Sequence, residues 1–320
     1  MRIIVVGYGV QGVKRAKVAG DDCKALVDPV HPDAHYQSIE QVPLDLFDAA
    51  LVCTPDGAKF EILAYLLSNK KHVLVEKPLL SHSNDQLDSL KTLAENHKVS
   101  LYTAYNHRFE PHFQSMYEAI SRNKLGKIYS IRLFYGNGTA RLVRDSEWRD
   151  QGGGVIPDLG SHLLDTLLYW LGKPDSSCHL YEANCFENKA PDQCSFGFKG
   201  TTSVHMEMSL LSWRNHFYAD VIGEKGSAHI ESLCKWGPST FTLRQRVLPS
   251  GRPDETTTTL VQSDPTWEAE WKHFKTLCVS GLRNIENDIW INTQLNSLMT
   301  QAGLGEIKEV KEIKLQKEVS

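Results

Sequence analysis

The sequence predicts a two-domain α/β protein, in which a doubly wound parallel sheet is followed by an α+β domain built on a largely antiparallel sheet. Three observations predict this. Short apolar strands alternate with helical segments up to residue 122, a glycine-rich turn follows the first strand, and strands separated by turn residues succeed one another after residue 200. We therefore expect domains at 1–122 and 123–320.

The N-terminal domain begins with a continuous apolar run from Ile3 to Val6 that ends at a glycine. Such a run of β-branched residues is typical of a strand buried on both faces. Similar runs recur along this part of the chain, and the segments between them have helical apolar spacing. We predict strands at 24–28, 49–53, 72–75 and 99–104, and helices at 60–67, 85–97 and 113–122. Strands that alternate with helices predict a parallel sheet.

The second domain has a different pattern. A strand is predicted at 127–135, and an apolar helix is predicted at 161–171 after an irregular stretch. Short strands and turn residues then follow one another, as is typical of antiparallel sheets. We predict strands at 201–211, 218–222, 228–232 and 241–247, and two late helices at 266–279 and 288–301.

The composition excludes several classes of protein. The chain has 320 residues, a formal net charge of -4 and 41% hydrophobic residues, which are ordinary values for a globular protein. This balance gives no electrostatic footprint for nucleic acid, and no apolar run approaches the roughly 18 residues of a membrane span. The seven cysteines are scattered and form no close pairs of the kind that zinc or redox motifs need. We expect a cytoplasmic protein with no metal, nucleic-acid or membrane partner and, because a strand begins almost at once, no leader segment.

The turn after the first strand has the spacing of a dinucleotide-binding loop. Its six residues are Gly7, Tyr8, Gly9, Val10, Gln11 and Gly12. Glycines at this spacing allow a tight turn and a close backbone approach to a pyrophosphate, and the following helix offers amide donors at its N-terminus. The turn therefore predicts a Rossmann domain that binds a nicotinamide dinucleotide.

Asp28 ends the second predicted strand, nineteen positions after Gly9. A carboxylate there can accept hydrogen bonds from the adenosine ribose, whereas a 2'-phosphate would be repelled, so NAD is favoured over NADP as the cofactor. The Asp28-Pro29 step is also consistent with an aspartate that only starts a turn.

Polar residues follow two further predicted strands. Thr54 and Pro55 come after the strand at 49–53, and Glu76 and Lys77 come after the strand at 72–75. Ligands of doubly wound folds bind at the carboxyl ends of the parallel strands. These four residues are therefore candidates for cofactor contact, with Lys77 placed toward the nicotinamide end.

The stretch from His72 to Pro78 resembles the Glu-Lys-Pro signature of the Gfo/Idh/MocA oxidoreductases, which include glucose-fructose oxidoreductase and inositol dehydrogenase. The resemblance continues through the motifs at 106–109, 125–128, 148–149 and 153–162. One departure concerns the loop after the strand at 49–53. Family members commonly have an asparagine and a histidine there, where this chain has Asp56 and Lys59.

The resemblance implies a catalytic site between the two domains. Family members use a lysine, an aspartate and a histidine, and the matching residues are Lys77, Asp158 and His162. Asp158 and His162 are four positions apart, so both lie on one face at the start of a helix. A neutral His162 can exchange the hydroxyl proton, Lys77 can stabilise the developing alkoxide, and Asp158 can orient the histidine or a neighbouring hydroxyl. The candidate substrate-binding residues are Asn106, His107, Arg108, Trp148 and Arg149.

The sequence thus predicts an NAD-dependent oxidoreductase that transfers hydride between nicotinamide and a secondary hydroxyl or ketone of a sugar, cyclitol or sugar derivative. A glycosidase of the same family that uses NAD, and a non-catalytic NAD-sensing regulator, are the alternatives. Arg141, Arg144 and Arg149 suit an anionic substrate such as a nucleotide sugar or uronic acid, or else form a solvated loop. The resemblance also implies a homodimer or homotetramer.

Overall fold

The computed structural model describes residues 1–146, 149–281 and 285–304, and its first sheet is built from the N-terminal part of the chain. The strands are β1 Ile3–Val6, β2 Cys23–Val27, β3 Ala49–Val52, β4 His72–Glu76 and β5 Leu101–Ala104. They pair in parallel in the order β2-β1-β3-β4-β5. The predicted doubly wound sheet is confirmed, with the reversal of strand order beside β1 where such folds bind their ligands.

The second sheet holds the strands that follow residue 122. These are β6 Ile128–Gly136, β7 Cys178–Asn184, β8 Gln193–Phe198, β9 Ser203–Ser209, β10 His216–Gly223, β11 Gly226–Glu231, β12 Ser239–Gln245 and β13 Asp254–Leu260. Their order is β13-β12-β11-β10-β6-β9-β8-β7, and β6 and β9 pair in parallel while the other neighbours are antiparallel. This confirms the largely antiparallel sheet of the predicted α+β domain.

Helices fill the space between and around the sheets. In the described part of the chain they are α1 Val10–Ala19, α2 Asp56–Ser68, α3 Asn84–His97, α4 Pro111–Ser121, α5 Ala140–Arg144, α6 Val155–Leu171, α7 Thr266–Ser280 and α8 Ile285–Gln301. None of the helices described is long and apolar enough to cross a membrane.

The parallel sheet is covered on both faces, as its apolar strands predict. On one face, Ile4 and Val6 lie in a core with Leu63 and Leu66 of α2. The alternate residues of β1 point the other way and share a core with Trp271, Phe274 and Leu277 of α7. A helix from the end of the chain therefore completes the N-terminal layer.

Helix α6 lies over the second sheet and begins earlier than the sequence predicts. Its first residue is Val155 rather than residue 161, and it buries Val155, Ile156 and Leu159. Pro157 lies in its first turn, where a proline is tolerated because the amide it lacks has no helical partner there. Asp158 is consequently inside the first two turns of α6.

Three strands of the second sheet were not predicted. Strands β7 and β13 are its two edges, and β13 consists of the polar segment Asp254–Leu260, whose residues are almost all exposed. An edge strand without a buried face carries no apolar alternation, which is the signal on which strand prediction relies. Strand β8 pairs with β7 and β9 inside the sheet.

Candidate active site

The glycine-rich turn connects β1 to α1, and its three glycines meet different surroundings. Gly7 has a φ of +88°, and a Cβ there would lie 2.8 Å from the backbone of Cys53. A Cβ on Gly12 would lie 2.0 Å from the carbonyl oxygen of Gly7. A Cβ on Gly9 would meet nothing within 4 Å. The first and third glycines are thus required by the protein itself, whereas the second leaves open space where the backbone can approach a ligand.

Helix α1 starts at Val10 without a side-chain cap at its N-terminus. The amides of its first turn are therefore directed at the space in front of the turn, which suits an anion such as a pyrophosphate. Val10 is 74% exposed there. Thr54, at the carboxyl end of β3, has a buried hydroxyl with no hydrogen-bond partner among the described residues, and Pro55 directly precedes α2.

Asp28 has a clear role within the protein. Its Oδ1 accepts from the amides of Val30 at 3.0 Å and His31 at 2.9 Å, and its Oδ2 accepts from the amide of Tyr8 at 2.8 Å. Although partial burial raises the pKa of Asp28, these backbone hydrogen bonds lower it below its ordinary value. The carboxylate thus joins the turn after β2 to the glycine-rich turn. Its Oδ2 keeps lone-pair capacity for a further donor.

Glu76 is the last residue of β4, and its side chain is engaged by the protein. Its Oε1 lies 2.7 Å from Nε of Arg15, which lies in α1. Arg15 is 3% exposed and also pairs at 2.7 Å with Glu270 of α7, and its guanidinium lies 4.3 Å from the Trp267 ring centroid. Burial raises the pKa of Glu270 to about 7, although Arg15 opposes this. Arg15 therefore connects the cofactor turn, the end of β4 and α7.

Lys77, which follows β4 of the parallel sheet, forms an ion pair with Asp158 of α6, the helix that lies over the second sheet. The Lys77 Nζ donates to Oδ1 of Asp158 at 2.8 Å and to its carbonyl oxygen at 2.9 Å. Desolvation raises the pKa of Asp158, but the Lys77 ammonium and then Arg149 outweigh it and hold that pKa below its usual value. An ammonium has three donors, so one donor of Lys77 is left for a ligand.

His162 follows one turn later on the same face of α6. Its ring stacks on that of His107, with centroids 4.2 Å apart and an interplanar angle of 20°. The rings of Tyr105 and Tyr135 meet its edge. Burial lowers the pKa of His162 well below its ordinary value, and His107 and the cations of Lys77 and Lys235 lower it further. Both histidines are therefore neutral near pH 7.

The two histidines are nearly enclosed. His162 is 8% exposed and His107 is 3% exposed, and the Nδ1 atom of each is buried without a hydrogen-bond partner among the described residues. Burial likewise lowers the pKa of His107 well below its ordinary value. Because Nδ1 of His162 is buried, a substrate could reach the ring nitrogens of this histidine only at Nε2.

The remaining predicted substrate residues are held by protein groups. Arg108 grips Asp165 of α6 with Nε at 2.9 Å from Oδ2 and a terminal nitrogen at 2.6 Å from Oδ1. The amide nitrogen of Asn106 donates to the hydroxyl of Thr266 at 2.8 Å. Asp165 is three positions after His162, so helical spacing indicates that it shares a face of α6 with that histidine, but nothing in the local sequence indicates that its partner is Arg108.

The three arginines predicted to meet an anion have different surroundings. Arg141 is 73% exposed and lies 3.8 Å from Glu187, and Arg144 is 46% exposed beside Asp145. Arg144 also lines a surface cavity of about 330 Å³ with Asp150, Gln151 and Lys189. Arg149 alone among the three acts on the pKa of Asp158. The predicted contact of Trp148 lies outside the described residues.

Lys235 was not singled out in the sequence, because neither its position nor its neighbours form a motif. Its Nζ lies 5.3 Å from the centroid of the Trp236 ring and 3.8 Å from Asp264. The Trp236 ring in turn packs against Tyr135 at 5.9 Å. Lys235 is close enough to His162 and His107 to lower the pKa of both. It adds a second cation beside the histidine pair.

Two family models match this architecture. One, described as an oxidoreductase family with an NAD-binding Rossmann fold, matches residues 24–105, and the other, described as a GFO/IDH/MocA C-terminal domain, matches residues 113–229. The chain belongs to the Gfo/Idh/MocA family. The first match contains β3, β4, β5 and most of β2 of the parallel sheet, and the second contains α6 and much of the antiparallel sheet. The N-terminal domain of the chain is therefore the NAD-binding Rossmann domain of this oxidoreductase family.

Curated relatives match over roughly two fifths to one half of the chain. A scyllo-inositol 2-dehydrogenase (NADP(+)) of Bacillus subtilis is 28% identical over 148 residues, which are 45% of this chain and 40% of that protein. A glucose-6-phosphate 3-dehydrogenase of the same organism is 27% identical over 139 residues, 42% of this chain and 39% of that protein. The chain thus matches about two fifths of the length of these relatives.

Solved structures match over nearly the whole chain. A levoglucosan dehydrogenase in complex with NADH superposes with a TM-score of 0.83 at 14% identity, covering 95% of this chain and 97% of that one. GenD2 from gentamicin A biosynthesis in complex with NAD superposes with a TM-score of 0.76 at 18% identity, covering 95% of this chain and 94% of that one. At these identities the likeness concerns the fold.

Proposed function

We propose that this protein is an NAD-dependent oxidoreductase that transfers hydride between nicotinamide and a secondary hydroxyl, or the corresponding ketone, of a sugar, cyclitol or sugar derivative. The observation that carries the proposal is the Lys77–Asp158 pair one helical turn from the neutral His162. The group lies where α6 meets the carboxyl end of β4, on the ligand-binding edge of the parallel sheet.

The residues present fit an NAD cofactor. The open space at Gly9, the uncapped first turn of α1 and the unpartnered hydroxyl of Thr54 would hold it. Asp28 would accept from the adenosine ribose through the free capacity of its Oδ2. When bound, the nicotinamide ring supplies the hydride acceptor or donor.

The protein's own residues would manage the substrate oxygen and its proton. The third donor of Lys77 would bond that oxygen and stabilise negative charge that develops on it. Nε2 of His162 would take the hydroxyl proton in oxidation and return it in reduction, because that ring is neutral and its Nδ1 is inaccessible. Asp158 would hold the Lys77 ammonium in place. The enclosure of the histidine pair would exclude water from the reacting atoms.

The substrate is proposed only as a class. The relatives named above act, by their names, on an inositol and on glucose 6-phosphate, one neutral and one anionic. Arg149 is the arginine that would meet an anionic group, since it is the one linked electrostatically to Asp158. A nucleotide sugar or a uronic acid belongs to the same anionic class.

A substrate screen tests the proposal. Purified protein is mixed with NAD and with sugars, inositols, sugar phosphates, uronic acids and nucleotide sugars, while NADH absorbance is followed. We expect NADH to accumulate with at least one of them. Release of a reducing sugar without NADH would instead indicate the glycosidase alternative, and cofactor binding without any turnover across the screen would indicate a regulator.

The choice of cofactor is tested separately by titrating the protein with NAD and NADP. We expect NAD to bind at least about tenfold more tightly, because the Asp28 carboxylate would repel a 2'-phosphate. One relative is named for NADP(+), so tighter NADP binding here would remove the proposed role of Asp28. We also propose that the protein is cytoplasmic and that it forms a homodimer or homotetramer. Light scattering of the purified protein would test the oligomeric state.

A further inference from the structure

Lys59 is a buried lysine of α2 that none of the proposed chemical steps uses. Its side chain is 3% exposed. Its Nζ donates to Oδ1 of Asp56 at 2.6 Å, to the carbonyl oxygen of Glu76 at 3.1 Å and to that of Pro78 at 2.9 Å. These bonds use all three donors of the ammonium. Lys59 is therefore fully committed to protein groups and has no donor left for a ligand.

The two carbonyls that Lys59 binds belong to the residues immediately before and after Lys77. We propose that Lys59 is a positioning residue, which fixes both ends of the Glu76-Lys77-Pro78 turn so that the Lys77 ammonium meets Asp158 and the substrate oxygen. The inference rests on the role of Lys77 in the proposed function. Lys59 itself touches neither Asp158 nor the reacting atoms, and it acts through the backbone.

Arg15 holds the same turn from the other side. It binds the carboxylate of Glu76 at 2.7 Å, whereas Lys59 binds the carbonyl of that residue. Helices α1 and α2 follow β1 and β3, the strands next to each other at the ligand-binding edge. The turn that carries Lys77 is thus anchored by one buried cation from each of the two helices.

The hydrogen bonds of Lys59 orient the backbone carbonyls of the turn, in addition to filling space in the core. Burying an ammonium has a desolvation cost that an apolar side chain of similar length avoids. In return, three charge-assisted hydrogen bonds fix the two carbonyls at defined angles, which apolar contact cannot do. Asp56 and Lys59 are also the two positions at which the chain departs from the family pattern. They bind each other, so the departure builds one coupled support for the turn.

The chain offers a matched control at the opposite end of β4. Lys71 precedes this strand, and its Nζ donates to the carbonyl oxygens of Leu44 at 2.6 Å and Phe47 at 2.8 Å. It resembles Lys59 in binding two backbone carbonyls, but it lies at the amino end of the parallel strands. A substitution there disturbs the same strand without reaching Lys77.

The test compares Lys59→Met with Lys71→Met by kcat, KM and the NAD dissociation constant. We expect Lys59→Met to lower kcat by about 10- to 100-fold, because a displacement of about 1 Å in a reacting group has effects of that size. The NAD dissociation constant and KM should change by less than about threefold, and Lys71→Met should keep kcat within about twofold. An unchanged kcat in Lys59→Met, or equal losses in both variants, would overturn the proposal.

A double variant shows whether Lys59 acts through Lys77. Because groups that act as a unit are not additive, adding Lys59→Met to Lys77→Ala should cause no further loss of kcat. A further loss as large as that of Lys59→Met alone would refute positioning through Lys77. If Lys77→Ala alone keeps the parent kcat, the assigned role of Lys77 fails first, and the proposal for Lys59 falls with it.

A milder variant covers the case in which Lys59→Met does not fold. Asp56 is 54% exposed at its side chain, so Asp56→Asn disturbs the ion pair without opening the core. We expect this variant to keep its melting temperature and to lower kcat about threefold, with no effect in the Lys77→Ala background. A parent-like kcat in Asp56→Asn together with an insoluble Lys59→Met would assign Lys59 to folding alone and refute the proposal.

Discussion

Two aspartate–cation pairs lie two turns apart on one face of α6, and they differ in their surroundings. At the start of the helix, the side chains of Lys77 and Asp158 are 18% and 40% exposed. Further along, those of Arg108 and Asp165 are 23% and 2% exposed. The first pair holds the pKa of its aspartate down, whereas burial raises the pKa of Asp165 despite Arg108.

The two pairs also differ in the donors that the cation has left over. Lys77 has a third donor for a ligand, whereas Arg108 closes its planar fork on both oxygens of Asp165. The histidine pair His107–His162 lies between them. On the proposed function, the same type of ion pair would serve a ligand where its aspartate is partly open, and it joins two parts of the chain where its aspartate is buried.

The largest effect is expected at the buried end of the face. Asp165→Ala leaves the Arg108 guanidinium without its partner, so the free energy of unfolding should fall by about 3–5 kcal/mol. Urea unfolding measures this, with Glu118→Ala as the control, because the exposed pair between Glu118 of α4 and Arg122 just after that helix contributes at most about 1 kcal/mol. If the free energy of unfolding falls equally in the two variants, the buried pair is no more important for stability than an exposed one.

At the open end the effect should fall on turnover. His162→Ala and Lys77→Ala should each lower kcat about a hundredfold or more, because proton transfer and alkoxide stabilisation are lost, while NAD binding is retained. Steady-state kinetics with the substrate found in the screen, and titration with NAD, provide the measurement. Near-normal turnover in both variants would remove these residues from the mechanism.

A smaller effect is expected at Arg149, and only with a charged substrate. A charge-assisted hydrogen bond contributes roughly 1.5–3 kcal/mol, so Arg149→Ala should raise KM for an anionic sugar about tenfold to a hundredfold with little change in kcat. Arg144→Ala is the matched control from the same segment and should change neither constant. If Arg149→Ala treats a uronic acid and its neutral counterpart alike, the anionic-substrate hypothesis is wrong.

The smallest effect concerns pH and the buried Arg15–Glu270 pair. Burial and the charge of Glu76 raise the pKa of Glu270 to about 7, against the opposing effects of Arg15 and Tyr102, so the folded protein binds this proton more tightly than the unfolded chain does. The contribution of this group to the free energy of unfolding therefore decreases as pH rises toward that value, by about 1 kcal/mol between about pH 6 and pH 7. The buried histidines, whose pKa values are lowered, act in the opposite direction in parent and variant alike. Urea unfolding at both pH values should therefore show the parent losing about 1 kcal/mol relative to Glu270→Gln. The same pH dependence in both proteins would show that Glu270 contributes no such term.

The sequence predicts the parallel sheet well, because strands buried on both faces are continuous apolar runs such as Ile3 to Val6. It also predicts the glycine-rich turn. Only glycine fits at Gly7 and Gly12, because a Cβ at either position would collide with backbone atoms, and this requirement is visible in the sequence as the glycine spacing. The edge strand Asp254–Leu260 is polar and exposed, so it has no such signature.

Long-range ion pairs explain most of what sequence reasoning missed at the site. Arg15 lies 61 positions from Glu76, and Arg108 lies 57 positions from Asp165. Nothing in the local pattern of either segment indicates which partner the folded chain will supply. The departure at Lys59 was visible in the sequence, but its meaning depends on two backbone carbonyls, which have no residue-specific signal.

The position of α7 has a consequence for how the chain can be made. The face of the first sheet that carries Ile3, Val5 and Leu74 is completed by Trp271 and Phe274. A nascent chain that has just released β5 from the ribosome therefore still exposes an apolar surface, and it must keep that surface from aggregating until the segment 266–280 emerges. For the same reason, a recombinant fragment that stops at residue 122 lacks α7, the helix that covers one apolar face of its sheet. Limited proteolysis or domain dissection of this protein must keep α7 together with the N-terminal strands.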